Sequence, residues 1–384
     1  MKSPAQRAGS KPEYLEAPPR LDILTGLRWW AALWVFVYHL QALVNIPAPW
    51  LFPVGYGHYG VTFFFVLSGF VLTWSWNPWV NVSTFYVRRF ARIWPAHFVA
   101  LLLAIPVFYS LTPRPEQTWV KDFDLGLLSL SVPLLQAWSR DAEVLFSGNP
   151  AAWTLTCEFF FYAIHPWLMR ALSQWRVRGA LIVLAAVWGA SIIYRLAVRN
   201  DPSAWWAADM PLPIVHAPEF ILGMAIAWAL RNGWRPRVRL WPSVIIFGSG
   251  LLTLIVASRR PHVWGMSTVS AFSSELMAFL CTVVIAGAAV TALGGDRSWL
   301  ASRTMVNLGA WSFAFYLVHA TVIYAVRGVT GVNSGPAGAL LALGVFVAAL
   351  GAAVLLYKFV EHPAERSIRA WKDSRDLQLR NVSS

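Results

Sequence analysis

The 384-residue chain is 57% hydrophobic and only 13% charged, with 23 tryptophans and a mean hydropathy of +0.52. Soluble domains carry about 25% charged residues, so the composition excludes a soluble enzyme and leaves a polytopic membrane protein. A net charge of +13 and an isoelectric point near 10.2 would suit a nucleic-acid binder, but the basic residues fall in loops between apolar runs, not on one soluble face.

The chain opens on a polar stretch, 1–19, expected as a cytoplasmic tail. No small-residue cleavage site follows a short apolar core, so no signal peptide is expected. Apolar runs of spanning length follow at about 27–45, 58–77, 93–111, 153–172, 179–198, 212–230, 241–258, 272–294, 306–326 and 337–360. The run 125–138 is short and contains Pro133, which fits a re-entrant or interfacial segment better than an eleventh span. With ten spans and an inside N-terminus, inner segments hold 23 of the 31 Lys and Arg residues. Counting 125–138 as a span would throw the four arginines of 231–240 outside, against the positive-inside rule. The expected fold is therefore an all-α transmembrane bundle of about ten spans, both termini cytoplasmic, with the long outer loop 112–152 as a lid or vestibule. The tail 361–384 is expected to be a helix on the inner surface with a disordered end, its basic residues near anionic lipid.

The first span, 20–45, holds Arg28 near its start and His39 eleven residues later. At 1.5 Å per residue they stand about 16 Å apart, which puts Arg28 at the inner face and His39 in the outer half. An ionisable group there costs roughly 2.5–3.5 kcal/mol or more, so it faces protein or a wet cavity. Either His39 hydrogen-bonds a neighbouring helix and nothing else, or it does chemistry. Glu158, about one and a half turns below the outer surface in 153–172, is expected at the depth of His39. A buried carboxylate beside an imidazole fixes its tautomer and strengthens it as a base, so the two read as a catalytic dyad or as a structural pair. Tyr162, one turn on, can share that network. Cys157 is apolar-surrounded and reads as inert, and with Cys281 it makes no disulfide framework or zinc pattern.

Gly60, Ser68 and Gly69 punctuate the second span, either for close helix packing or to leave room for a slim ligand arm. Arg88, Arg89 and Arg92 sit on the inner rim before the third span, as a positive-inside anchor or as a phosphate clamp joined by Arg28. His319 lies in the outer half of the ninth span and can line the same cavity. Glu219 and Glu275 are further intramembrane carboxylates without assignable partners. Trp50, Trp74, Trp76, Trp138, Trp205 and Trp206 read as interfacial anchors or as flat surfaces for an acceptor.

Six segments in order, LTGLRWWAALWVFVYH, GVTFFFVLSGFVL, FYVRRFARIWP, WTLTCEFFFYAIHP, WSFAFYLVH and YKFVEHPAER, resemble the integral-membrane acyltransferase type 3 family over about 20–370. The resemblance implies a transmembrane acyltransferase domain over 20–360 between tails 1–19 and 361–384. It implies O-acylation of surface polysaccharides, glycolipids or macrolide antibiotics, with acyl-coenzyme A, expected as acetyl-coenzyme A, as donor and no metal. His39 is then the essential histidine, as general base or acyl relay, with Arg28 its companion and Glu158 the intramembrane glutamate. Arg88, Arg89 and Arg92 face the donor, Glu361 and Pro363 form the end motif, and Ser68, Tyr162, Tyr316 and His319 line the pocket. Phe159 stands where the family often has a second acidic residue, and Trp29 and Trp30 replace smaller pairs. The expected partners are the donor, a hydroxylated glycan or small-molecule acceptor and the lipid bilayer of the cytoplasmic membrane; the oligomeric state is open. Two rival readings are a transporter using His, Glu and Arg as a proton relay, and a haem protein with His39 and His319 as axial ligands.

Overall fold

The computed structural model describes residues 18–45, 53–204, 206 and 209–383. Ten long helices follow the apolar runs: α1 Asp22–Leu40, α2 Gly60–Trp74, α3 Val82–Phe108, α4 Trp153–Leu172, α5 Val177–Asn200, α6 Ala217–Arg231, α7 Leu240–Arg259, α8 Ser273–Leu293, α9 Arg303–Thr330 and α10 Gly335–Leu356. Among the described residues, nine segments are long and apolar enough to cross a membrane. The tenth, α4, is 20 residues long but is not one of the nine. Its Glu158, His165 and Arg170 lower its hydropathy, and His165 is fully buried. The chain is an all-α, multi-pass bundle.

Bulk hydrophobicity does not hold such helices together, because lipid tails are as apolar as leucine; close packing does. Gly69 of α2 and Gly223 of α6 show how. A Cβ on Gly69 would strike the backbone of Phe220 and Met224, and one on Gly223 would strike the backbone of Val66. The two helices interlock through these gaps, so packing is the role of Gly69. α1 is clamped to α9 by Trp29 and Phe36, whose rings stand 5.2 and 5.4 Å from that of Phe315. By contrast α5 is peripheral, with only Gly179 and Ala180 buried.

The face carrying 78–93 is called inner, following its charge. At the outer face, 125–138 does not span. It forms a short helix, Leu125–Ser131, stopped before Pro133, and a 3-10 turn, Gln136–Trp138. The inner end of α10 passes through a π turn, Tyr357–Glu361, into α11, His362–Ser383. The tail is helical, as expected, but without the expected disordered end among the described residues. α11 is helical to Ser383 and is fastened along α3. Thr84 donates to Asp376 at 2.6 Å, Arg88 pairs with Asp373 at 2.9 Å, and Arg92 meets Glu365 at 3.0 Å and Glu361 at 2.7 Å. The reason is spacing: 84, 88 and 92 form one stripe of α3, and α11 presents acids to it at helical intervals.

Candidate active site

A cavity of about 180 Å³ lies mid-membrane between α1, α2, α3, α4 and α9. It gathers Arg28, Ser68, Arg89, Arg92, Glu158, Tyr162 and Tyr316 from five helices. Ser68 of α2 donates to Glu158 Oε2 at 2.7 Å, and Tyr162, one turn beyond Glu158 on α4, lines the same cavity.

The arginines divide into two groups. Arg88 does not line the cavity; it is half-exposed against Asp373. Arg92 lines it but is neutralised by Glu361, which is fully buried, and by Glu365, which Arg369 also grips. Arg28 and Arg89 line it with no carboxylate within 4 Å among the described residues, and Arg89 Nε is buried without a hydrogen-bond partner. The one carboxyl that shares the cavity with these two guanidiniums is Glu158, so positive charge is in excess there and favours an anionic ligand. Of the four arginines expected at the donor's phosphates, Arg88 and Arg92 are paired with carboxylates of α11 and its π turn, and Arg28 and Arg89 are not.

His39 lies elsewhere. It is the penultimate residue of α1 and lines an outer vestibule of about 590 Å³, roofed by Trp119, Lys121 and Phe146 of the outer loop. Glu158 is not its partner. Glu158 hydrogen-bonds Ser68, the ninth of fifteen residues in α2, so it stands near mid-membrane. The two residues do not share a level of the bundle: Glu158 meets the middle of α2 at Ser68, while His39 stands at the end of α1 in a different cavity.

The partner of His39 is His319. His319 Nδ1 donates to the Tyr316 carbonyl at 2.6 Å. A carbonyl can only accept, so the neutral His319 ring keeps its lone pair on Nε2. That nitrogen stands 3.3 Å from His39 Nδ1, which is also 3.0 Å from the Val35 carbonyl. Facing two acceptors, His39 Nδ1 carries the proton, and its Nε2 is left with a lone pair. Two imidazoles in direct contact leave no gap for a porphyrin, so the bis-histidine haem reading is set aside. His319 is itself buried and lines neither cavity, contrary to its expected place as a lining residue.

The cavities adjoin. Val61 and Tyr316 line both the central cavity and the vestibule. Tyr316 is held there by Thr154, whose hydroxyl donates to it at 3.1 Å, and it donates to the Ala151 carbonyl at 3.3 Å. On the other side, Arg28, Leu67 and Val71 also line a cavity of about 400 Å³ at the inner face, beside Arg20 and Asn77. Trp74 and Trp76 belong to this inner mouth and not to an outer surface; Trp138 is exposed on the outer loop, Trp206 sits against Tyr194, and Trp50 and Trp205 lie outside the described residues.

Sequence reasoning named Glu219 and Glu275 but missed their partners; Glu219 lines the vestibule and Glu275 a cavity beside it. Glu219 accepts from Thr62 at 3.3 Å and pairs with His216 Nδ1 at 3.2 Å. Glu275 accepts from Arg195 Nε at 3.0 Å. The i,i+3 spacing of His216 and Glu219 was the one available signal.

The description "acyltransferase domain" matches residues 21–358. The chain is 35% identical over 380 residues to the acyltransferase MdmB of Streptomyces mycarofaciens, covering 91% of this chain and 93% of that protein. It is 27% identical over 208 residues to nodulation protein 10 of Rhizobium leguminosarum bv. viciae, covering 47% of this chain and 55% of that protein. It is 26% identical over 337 residues to the peptidoglycan O-acetyltransferase OatA of Listeria monocytogenes serovar 1/2a, covering 79% of this chain and 49% of that protein. The chain thus spans about half the length of these last two. No solved structure matches it. With a family match over nearly its whole membrane core, the chain belongs to the integral-membrane acyltransferase type 3 family and is an acyltransferase.

Proposed function

We propose that this acyltransferase sits in the cytoplasmic membrane and takes acyl-coenzyme A, with acetyl as the acyl group, from the inner side. The donor's phosphates rest where the inner mouth meets the central cavity, against Arg28, which lines both, and Arg89, which lines the central one. The pantetheine arm passes Ser68 and Glu158 and brings the thioester past Tyr316 to His39. Arg28 and His39 are separated by about 16 Å along α1, a distance comparable to an extended phosphopantetheine arm. The acceptor is a hydroxyl of a glycan or an antibiotic, the substrate types named in the matched acetyltransferase and resembled family.

His39 Nε2 takes the proton of the acceptor hydroxyl as its oxygen attacks the thioester carbonyl. The new C–O bond forms, the C–S bond breaks, and the departing thiolate receives the proton, giving an ester and free coenzyme A. His319 and the Val35 carbonyl hold the ring so that Nε2 is the basic nitrogen. The apolar walls of Val61, Phe64 and Phe65 keep water from the thioester.

The observation that carries this reading is the shared wall residues, which join the unpaired arginines to His39 through three cavities. The experiment is transfer of label from acetyl-coenzyme A to a hydroxylated acceptor in membranes holding the wild-type chain or His39→Ala. The substitution is expected to abolish transfer at unchanged expression; retained transfer would remove His39 from the mechanism.

A further inference from the structure

The vestibule that holds His39 opens sideways. His216, Glu219 and Ser274 line it, and the same three residues line a further cavity of about 280 Å³ between α5, α6 and α8. This side chamber lies in the outer half of the bundle and is bounded by the peripheral helix α5. Most of its wall is apolar, including Trp188, Ile214, Leu222 and Ala278. Its polar lining is Ser191, Tyr194, Arg195, His216, Ser274 and the two carboxylates Glu219 and Glu275. Glu219 is held by His216 and Thr62, and Glu275 by Arg195 through Oε1 alone. Glu275 is 7% exposed, and its Oε2 is buried without a hydrogen-bond partner.

An unsatisfied buried carboxylate oxygen costs free energy that a ligand donor recovers. A carboxylate accepts only, so the complementary ligand must donate, and an anionic headgroup would meet two carboxylates against the one guanidinium of Arg195, which is already paired with Glu275. A wholly polar molecule would leave the apolar walls unmatched, and a bare hydrocarbon tail would leave Glu275 Oε2 unpaired. We infer that this chamber is a lateral acceptor port: an uncharged amphiphile, with a hydroxylated ring and an apolar body, enters from the outer leaflet beside α5. It docks its hydroxyls on Glu275 and Glu219 and presents one of them to His39 across the shared wall. The inference rests on the proposed transfer reaction for its purpose, and on the chamber alone for its binding.

The test is photolabelling of the full-length chain in bilayer nanodiscs with an octyl glucoside bearing a diazirine in its alkyl chain, mapped by peptide mass spectrometry. Label is expected on the outer halves of α5, α6 and α8. Ser191→Trp, which fills the chamber from the peripheral helix, is expected to abolish it. Glu275→Gln, which replaces the unpaired acceptor, is expected to reduce it about fivefold, the factor for one hydrogen bond. Octyl phosphate in excess should fail to compete, and unlabelled octyl glucoside should compete. Label spread evenly over the lipid-facing surface, label unchanged by both substitutions, or equal competition by octyl phosphate would overturn the port. Labelling needs no turnover, so it is repeated in His39→Ala. Intact chamber labelling there, with transfer retained, would sink the proposed reaction and leave the port standing; absent labelling with transfer lost on His39→Ala would do the reverse.

Discussion

His319 Nε2 stands 3.3 Å from His39 Nδ1, and this contact joins α9 to α1 at the floor of the outer vestibule. The orienting group for the candidate base is thus a second imidazole, itself fixed by the Tyr316 carbonyl. A serine-triad carboxylate that fixes its histidine's tautomer is worth up to about 10⁴-fold in kcat. Here the Val35 carbonyl remains as a second anchor. His319→Ala is therefore expected to lower kcat by about 10- to 100-fold with little change in KM for the donor. Steady-state kinetics at varied acyl-coenzyme A check this; an unchanged kcat would contradict the positioning role.

In the proposed reaction Glu158 serves the donor path and not the base. It accepts from Ser68 and shares its cavity with Tyr162, Arg28 and Arg89. Glu158→Gln is expected to raise KM for acyl-coenzyme A by about three- to tenfold, the range for one or two altered hydrogen bonds, and to leave the acceptor KM unchanged. A variant with normal donor KM and abolished kcat would return Glu158 to the role of orienting His39.

The two adjacent arginines should separate cleanly. Arg88 and Asp373 form an exposed ion pair, worth about 0–1 kcal/mol, so Arg88→Ala should change activity less than about twofold. Arg89 lines the cavity without a carboxylate partner, and Arg89→Ala should weaken donor binding by about tenfold or more. Donor affinity measured on both purified variants decides it, and equal losses would contradict the division.

Arg92 and Glu361 predict a stability effect. Their contact is 2.7 Å, and Glu361 is fully buried. Removing one member of a buried pair strands the other charge, so Glu361→Ala should destabilise the protein by about 3 kcal/mol. Thermal unfolding in detergent should show it, with Arg88→Ala as the near-neutral control.

Ten helices were legible because a run of about 20 apolar residues has few other fates. Seven of the ten site residues named from sequence, from Arg28 to Tyr316, do meet around one cavity. Depth was not legible, because counting turns assumes that each helix starts at the membrane surface. Glu158 meets the middle of α2 at Ser68, whereas His39 stands at the end of α1 beneath Trp119, Lys121 and Phe146 of the outer loop. Pairing across the chain was equally hidden. Arg92 meets Glu365 over 273 positions, and Glu219 takes its bond from Thr62 over 157. No local period encodes such contacts; they arise only once ten helices have chosen their neighbours.

In the proposed reaction a donor on the inner side and an acceptor on the outer side meet at His39. Proteoliposomes of uniform orientation, loaded with labelled acetyl-coenzyme A at the inner face only, test it most directly when a hydroxylated acceptor is supplied only at the opposite face. Labelled ester should form on the acceptor side with the wild-type chain and not with His39→Ala. Ester that forms only when both substrates share one face would contradict the through-bundle path.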